Sequence, residues 1–248
     1  NEVRPKVKTA RAYTSPVRRN FGHAPIQTPG IALGSSVRHA SFGTGTVTVN
    51  TGTGNQLQLA DGVDVGNALT INGGGVTAQG VLYVPAGNAT SSGTINITAA
   101  QNSGGHFATV TNTSVLTIAG DNTITSSVPV TIRNGTVVYT GAQNYTGGTS
   151  FNTADSRALL QFGQPASMPA TGAVALMSGT SIAVNAGGAG EFTAGTDTGA
   201  GSIGGLLAGT GGQGEAVTWA AGSSLGIDTT NATGTVTFGN AFTSTNNI

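Results

Sequence analysis

Carboxylates are the side chains of this sequence with the clearest chemical potential. Asp61 and Asp64 stand three residues apart in an Asp-Gly-Val-Asp segment. A calcium ion needs about six to eight oxygen ligands, and no further carboxylate lies nearby in sequence, so turn capping is the favoured interpretation and no metal site is predicted. Asp121, Asp155 and Asp228 could meet on one face of a stack of strands, where a pair at a fixed separation would suit glycoside hydrolysis.

His106 is the only histidine after residue 40. A catalytic role would need an oriented partner, and no Gly-x-Ser-x-Gly nucleophile motif surrounds this residue, so we expect His106 in a surface loop. A lyase acting on acidic sugars would need cations, and only Arg133 and Arg157 follow residue 40. The sequence therefore predicts no catalytic residue, no metal and no cofactor, although a glycan lyase or hydrolase stays open as the less favoured alternative.

The composition favours many short strands. The 248 residues include 41 glycines and 8 prolines but no cysteine, and only 7% of the residues are charged. Long helices are unfavourable at this glycine and proline content. The absence of cysteine excludes disulfides and thiolate zinc sites.

Charge is distributed unevenly along the chain. Residues 1–40 have a net charge of +6 and half of the prolines, whereas residues 41–248 have a net charge of −6 and no lysine. Prolines disfavour regular helix and favour extended backbone, so we predict an extended basic arm over 1–40 and a separate body over 41–248. The cations of the arm are Arg4, Lys6, Lys8, Arg11, Arg18, Arg19 and Arg38.

A basic arm invites comparison with nucleic-acid binding, but only Tyr13 and Phe21 could stack on bases, so no nucleic-acid partner is predicted. An acidic body on another copy of the chain is a better match for a basic arm. Ile31, Leu33 and Val37 mark short apolar runs that could add a strand to an exposed edge of a neighbour. Such contacts are head-to-tail, and the alternative is that the arm folds back on its own body.

Short runs with alternating apolar and polar residues follow residue 40, separated by Gly, Asn, Ser and Asp. A sandwich, a barrel and a β-solenoid all fit many short strands. The solenoid is favoured because the apolar positions are mostly Val, Ile, Leu and Ala, which suits a narrow core, and because Thr and Asn recur at strand ends, where they could stack. The runs include 46–49, 80–84, 94–98, 115–118, 158–162, 181–184 and 235–238.

Residues 135–176 are more specific. They resemble the autotransporter-associated β-strand repeat, through a Gly-Ala-Gln-Asn-Tyr-Thr-Gly-Gly-Thr segment and a Met-Pro-Ala-Thr-Gly-Ala-Val-Ala-Leu segment. The resemblance implies a right-handed parallel β-helix in a secreted or surface-displayed protein of a Gram-negative-type cell, and it brings no catalytic residues. The signature positions are Asn144, Tyr145, Thr146, Gly147, Gly148, Thr149, Leu159, Pro169 and Gly172.

The signature also allows structural predictions. Gly147 and Gly148 would permit a corner between successive coils, and Tyr145 and Leu159 would face the core. Tyr139, Tyr145 and Trp219 are the candidate aromatic platforms for a glycan, but core packing is the favoured interpretation for each.

The predicted function is therefore mechanical. We expect an all-β extracellular scaffold or self-assembling fibre subunit whose arm joins neighbouring copies, with other copies of the chain as partners. An adhesin passenger that binds a host or a cell-surface glycan is the alternative. The sequence has no apolar run of about 18 residues, so no transmembrane helix is predicted.

Overall fold

A computed structural model of the protein describes residues 44–50, 55–73, 79–100, 105–121, 123–152 and 157–239. The predicted arm over 1–40 lies outside these ranges. The strands within them are two to five residues long, since turn-forming residues interrupt each alternating run. Their bounds are β1 (Val47–Val49), β2 (Leu57–Gln58), β3 (Asp64–Val65), β4 (Leu69–Ile71), β5 (Gly80–Val84), β6 (Asn88–Ser91), β7 (Ile95–Ile97), β8 (Gly105–Thr109), β9 (Val115–Ile118), β10 (Ile124–Ser126), β11 (Val130–Ile132), β12 (Gly135–Tyr139), β13 (Thr149–Phe151), β14 (Ala158–Phe162), β15 (Val174–Ala175), β16 (Ser181–Asn185), β17 (Val217–Thr218) and β18 (Ser224–Asp228).

These strands form three parallel sheets. Sheet 1 has the order β1-β4-β7-β10, sheet 2 the order β2-β5-β8-β11-β13-β15-β17, and sheet 3 the order β3-β6-β9-β12-β14-β16-β18. Consecutive strands belong to different sheets, so each strand pairs with strands one coil earlier and one coil later, a coil being one passage of the chain through the sheets. Leu82, for example, pairs with Phe107, 25 residues further along. The predicted parallel β-helix is confirmed.

The core lies between the three sheets and is filled by every second residue of each strand. In sheet 3 the pairing register aligns Leu116, Val137, Leu160 and Ile182 in one continuous inward column, and all four are fully buried. Each apolar side chain therefore packs on the equivalent side chain of the next coil, which is the arrangement expected of a solenoid.

Four aromatic rings occupy the middle of this core. Tyr139 makes edge-to-face contacts with Phe107, Tyr145 and Phe162, at centroid distances of 6.4, 6.4 and 5.8 Å. The predicted core of small and medium side chains is thus wrong at these coils. Edge-to-face pairs of this kind add stability beyond the area that they bury.

Sheet 1 ends at β10, and irregular segments continue its side of the solenoid. The backbone N–H of Thr146 donates to the carbonyl oxygen of Ser126 at 2.9 Å, and that of Ala170 donates to Tyr145 at 3.1 Å. The coil-to-coil hydrogen bonds therefore continue where the strands of sheet 1 do not.

A long excursion interrupts the regular spacing between β16 and β17. Val174 and Val217 are paired although 43 residues separate them. The excursion contains a short helix, α1 (Ile203–Leu207), whose N-cap Ser202 accepts a 2.9 Å hydrogen bond from Gly205. Its Gln213 side chain donates to carbonyl oxygens of Gln143, Ala166 and Met168, so the excursion is fastened to two earlier coils.

Two sequence predictions are wrong, one about the side of the sheet on which Leu159 lies and one about a strand over 235–238. Leu159 does not face the core: it pairs with Thr136 and Ser181 on the outer side of sheet 3, and Leu160 is the core residue. The run 235–238 forms no strand, although Phe238 packs against the core.

Candidate functional site

His106 lies in β8 and is fully buried, so the predicted surface loop is wrong. Its Nδ1 accepts a 2.9 Å hydrogen bond from the backbone N–H of Thr131, and its Nε2 lies 3.0 Å from the carbonyl oxygen of Ala99. Burial lowers its pKa to about 4, and the hydrogen bond with Ala99 opposes that effect. Both ring nitrogens are thus engaged within the protein, and the residue connects coils.

The carboxylates examined as metal or catalytic candidates also connect coils. Asp61 Oδ1 accepts from the backbone N–H of Asn88 at 2.8 Å, and both oxygens of Asp64 accept from the Ser92 hydroxyl at 2.8 and 3.0 Å. Asp121 Oδ1 accepts from the N–H of Ala142 at 2.7 Å. These carboxylates therefore satisfy polar groups of the next coil.

Within the residues that it describes, the structure does not bring together the three aspartates that were considered for hydrolysis. Asp155 lies outside the described residues. Asp121 follows β9 and Asp228 ends β18, four ladder steps apart, which is about 19 Å at the usual strand spacing. No group of three or more His, Asp or Glu side chains suited to a metal ion is found in the part of the chain that the structure describes.

The repeat signature forms a tight corner between coils. Gly148 has φ +74° and Gly172 has φ +79°, both in the left-handed region. A Cβ at Gly147 would lie 2.0 Å from the carbonyl oxygen of Val128, and one at Gly172 would lie 2.6 Å from the nitrogen of Gly148. Glycine is required here because successive backbones approach too closely for a side chain.

Other signature residues divide between the core and the surface. Tyr145 is buried and its hydroxyl bonds to Thr149 Oγ1 at 2.6 Å, which confirms that Tyr145 faces the core. Burial raises the pKa of Tyr145. Pro169 is buried, whereas Asn144 and Thr146 are exposed.

The three candidate aromatic platforms are packed into the protein, as predicted. Tyr139 and Tyr145 are fully buried, and burial raises the pKa of Tyr139. Trp219 is half-buried, packs against the core and donates its indole N–H to the carbonyl oxygen of Leu206 at 3.0 Å. Tyr139 and Tyr145 are therefore inaccessible to a sugar.

Sheet 1 presents an outer face without charge. Thr48, Thr70, Asn96 and Thr125 are aligned in register, one residue from each strand. Thr and Asn were expected to stack, but this face was not predicted from the sequence. Its signal is a polar residue at every second position of 46–50, 70–72 and 94–98.

A second outer column lies two residues after the first and is internally hydrogen-bonded. Asn72 Nδ2 donates to Asn50 Oδ1 at 3.1 Å, and Thr98 Oγ1 donates to Asn72 Oδ1 at 2.7 Å. This column therefore connects coils through its side chains.

The last strand of sheet 3, β18, has a strand neighbour on one edge, and its inward side chains are incompletely buried. β18 pairs with β16 alone among the described residues, and its inward side chains Leu225 and Ile227 are half-buried. Their counterparts in β16, Ile182 and Val184, are fully buried. At the end of this strand the Thr230 hydroxyl donates to Asp228, which lowers the pKa of Asp228.

Glu215 belongs to the long excursion and is largely buried. Its Oε2 accepts from the backbone N–H of Gln213 at 2.9 Å, while its Oε1 has no hydrogen-bond partner among the described residues. Burial raises the pKa of this carboxyl. Its position beside backbone amides of the same loop indicates a role in loop structure.

The residues predicted to contact other subunits, from Arg4 to Arg38, lie outside the described residues. The structure therefore leaves the arm contacts as a prediction. None of the helices it describes is both long and apolar enough to cross a membrane. Comparison with protein-family models, curated proteins and solved structures finds no match to this chain.

Proposed function

We propose that this chain is a structural protein, a β-solenoid scaffold outside the cell or on its surface that joins other copies of itself end to end. The proposal rests on β18, which has a paired edge toward β16 and no strand partner on its other edge within the described residues. An unpaired edge is a template for a strand of another chain.

The side chains of β18 support the same proposal. Leu225 and Ile227 continue the fully buried column of Ile182 and Val184, yet they are only half-buried. One further coil stacked on β18 would cover them. Burying apolar surface of this kind is worth about 25 cal/mol per Å², so the end of the solenoid gains stability from a neighbour.

Charge supports the basic arm as the connector. Residues 1–40 have a net charge of +6, and the rest of the chain has a net charge of −6. An arm that reaches a neighbouring body therefore meets the opposite charge, while arms repel each other. The apolar positions Ile31, Leu33 and Val37 would supply the strand that pairs with β18.

A role without catalysis is part of the proposal. Asp61, Asp64 and Asp121 accept hydrogen bonds from the next coil, and His106 uses both ring nitrogens within the protein. Side chains committed in this way to coil-to-coil hydrogen bonds suit a rod better than a reaction centre.

Deletion of residues 1–38 tests the arm, with sedimentation velocity and electron microscopy as the measurements. We expect the full chain to form assemblies, the shortened chain to remain monomeric, and the assemblies to weaken as ionic strength rises. A full chain that is monomeric, or a shortened chain that assembles undiminished, would overturn the proposal.

Substitution at β18 tests the edge separately. Leu225→Lys with Ile227→Lys places charge at the end of the solenoid and is expected to abolish assembly. Thr218→Lys is the matched control, because Thr218 is an exposed residue of the neighbouring strand β17. If the control disrupts assembly as strongly as the double variant, the β18 edge is not the contact.

A further inference from the structure

A polar groove lies where sheet 1 ends. It has a volume of about 480 Å³, within the usual range for ligand sites. The outer rim consists of residues in or directly after β7 and β10, together with residues of the signature segment that follows β12. These residues are Asn96, Thr98, Thr125, Ser127, Asn144 and Thr146, and the name polar groove refers to them.

Four of these side chains have unused hydrogen-bonding capacity. Asn96, Thr125, Ser127 and Asn144 are exposed, and their side chains make no hydrogen bond within the described part of the chain. The adjacent column differs, since Asn72 connects Asn50 to Thr98 through two side-chain hydrogen bonds. The groove thus has amides and hydroxyls that are available to a ligand.

Charge is absent from the groove. The described acidic and basic side chains all lie elsewhere, and the lining consists of Asn, Thr, Ser, Ile and Tyr. An anionic ligand would lack a compensating cation, and a cationic one would lack a carboxylate. The ligand that fits is therefore neutral and rich in groups that both donate and accept.

The backbone beside the groove argues against an added peptide strand. The N–H of Ile124 is bonded to Gln143 Oε1 at 2.9 Å, and the carbonyl oxygen of Ser126 accepts from Thr146 N–H at 2.9 Å. The free edge of β10 is therefore covered by the next coil. An added peptide strand would have to displace these two hydrogen bonds, which favours a sugar bound through side chains over an extended peptide.

The pairing of β7 with β10 sets a regular distance between the available side chains. Asn96 and Thr125 are directly paired, so they are separated by one ladder step of about 4.8 Å. This step is close to the length of one pyranose residue in an extended chain. An amide side chain can donate to one hydroxyl of a sugar ring and accept from another.

We propose that the polar groove binds a neutral, extended oligosaccharide, with Asn96 and Asn144 as the principal hydrogen-bonding residues and Thr125 between them. The inference does not depend on end-to-end assembly. Because no exposed aromatic ring lines the groove, we expect weak binding, with a dissociation constant in roughly the millimolar range.

Titration of the full chain with cellohexaose, followed by chemical shifts or calorimetry, tests the site. We expect saturable binding that Asn96→Ala with Asn144→Ala weakens about tenfold or more. Asn88→Ala is the matched control, because Asn88 is an exposed asparagine on sheet 3, away from the groove. Thr125→Val is a second variant that removes one hydroxyl at constant volume, and it should also weaken binding.

Three results would overturn the inference. They are no binding at about 10 mM cellohexaose, equal binding by the groove variants and the control, or tighter binding of oligogalacturonate than of cellohexaose. Thermal unfolding of each variant shows whether it is folded, and Thr125→Val decides the question if the double variant is not.

Discussion

The imidazole of His106 takes the place of a backbone group in the ladder between β8 and β11. Its Nδ1 accepts a hydrogen bond from the N–H of Thr131, 25 residues further along, at 2.9 Å. Its Nε2 lies 3.0 Å from the carbonyl oxygen of Ala99 and must hold the proton, because a carbonyl oxygen only accepts. The fold therefore selects one neutral tautomer of this histidine.

Acid should destabilise the protein through His106. Its folded-state pKa is lowered from 6.5 to about 4, so between these values the unfolded chain binds more protons than the folded chain. This contribution to stability is complete above pH 6.5 and is lost as the pH falls through 4. We expect the loss to reach roughly 3 kcal/mol, measured as the free energy of unfolding in denaturant titrations at several pH values.

His106→Asn provides the control for this measurement, because it can accept from Thr131 and does not titrate. Its unfolding free energy should vary less with pH in the same window. Glu215, whose pKa burial raises, contributes with the opposite sign: its neutral form is favoured on folding, so stability increases as the pH falls through its folded-state pKa. Glu215 is present in the unsubstituted protein and in the His106→Asn variant, so its effect cancels in the comparison. An equal dependence of the unfolding free energy on pH in the two proteins would show that His106 does not cause the acid destabilisation.

The two central tyrosines should respond differently to loss of the hydroxyl. The Tyr139 hydroxyl is buried and has no partner among the described residues, so Tyr139→Phe is expected to leave stability unchanged or raise it. Tyr145→Phe removes the bond to Thr149 Oγ1 and leaves that oxygen buried, at a cost of about 1–2 kcal/mol. Denaturant titrations measure the free energy of unfolding of both variants. A larger loss of stability for Tyr139→Phe than for Tyr145→Phe would contradict the described packing.

Adjacent leucines of β14 offer a test of facing. Leu160→Ala should cost about 2–5 kcal/mol, because Leu160 is fully buried in the inward column. Leu159→Ala should cost less than about 1 kcal/mol, since Leu159 is a half-buried residue of the outer face. Equal losses of unfolding free energy would show that both leucines are in the core.

Two effects make a glycine substitution at the corner costly, and they can be measured separately: the left-handed backbone conformation and the overlap of a Cβ with the neighbouring coil. Gly148 and Gly190 have φ of +74° and +76°, but only at Gly148 does an added Cβ meet backbone, at 2.5 Å from the Ala173 carbonyl oxygen. Gly190→Ala should cost about 1–2 kcal/mol from the left-handed conformation alone. Gly148→Ala should cost clearly more in the same unfolding experiment, and an equal cost would mean that the coils yield to the methyl group.

Alternating runs of apolar and polar residues predicted the short strands, because each strand buries every second residue. The small and medium size of the apolar residues then favoured a solenoid over a sandwich or a barrel. They did not determine the facing of Leu159, since Ala158-Leu159-Leu160-Gln161-Phe162 has apolar residues at both parities and a shift of one residue exchanges the faces. The inward positions are Ala158, Leu160 and Phe162. The bulky aromatic side chain of Phe162 was the one feature of this segment that indicated which alternate residues face the core.

The sequence prediction for His106 failed for a different reason. The surface loop was expected because no catalytic motif surrounds His106, and that absence carries no information about burial. Gly105 belongs to β8, where a Cβ would lie 2.6 Å from the Cβ of Arg133. Glycine is needed there for close approach of strands, which sequence alone does not distinguish from turn formation. The excursion after β16 was likewise hidden, because pairing across 43 residues depends on contacts made after folding.

The number of residues between paired positions of successive coils also has a mechanical consequence. If the chain is pulled from its two ends and coils detach one at a time, a coil of 25 residues, as between Leu82 and Phe107, adds about 80–90 Å of contour length. The 43 residues between Val174 and Val217 would add about 140–155 Å in one event. A force–extension trace would then show repeated short increments and one long increment, which marks the position of the excursion along the rod.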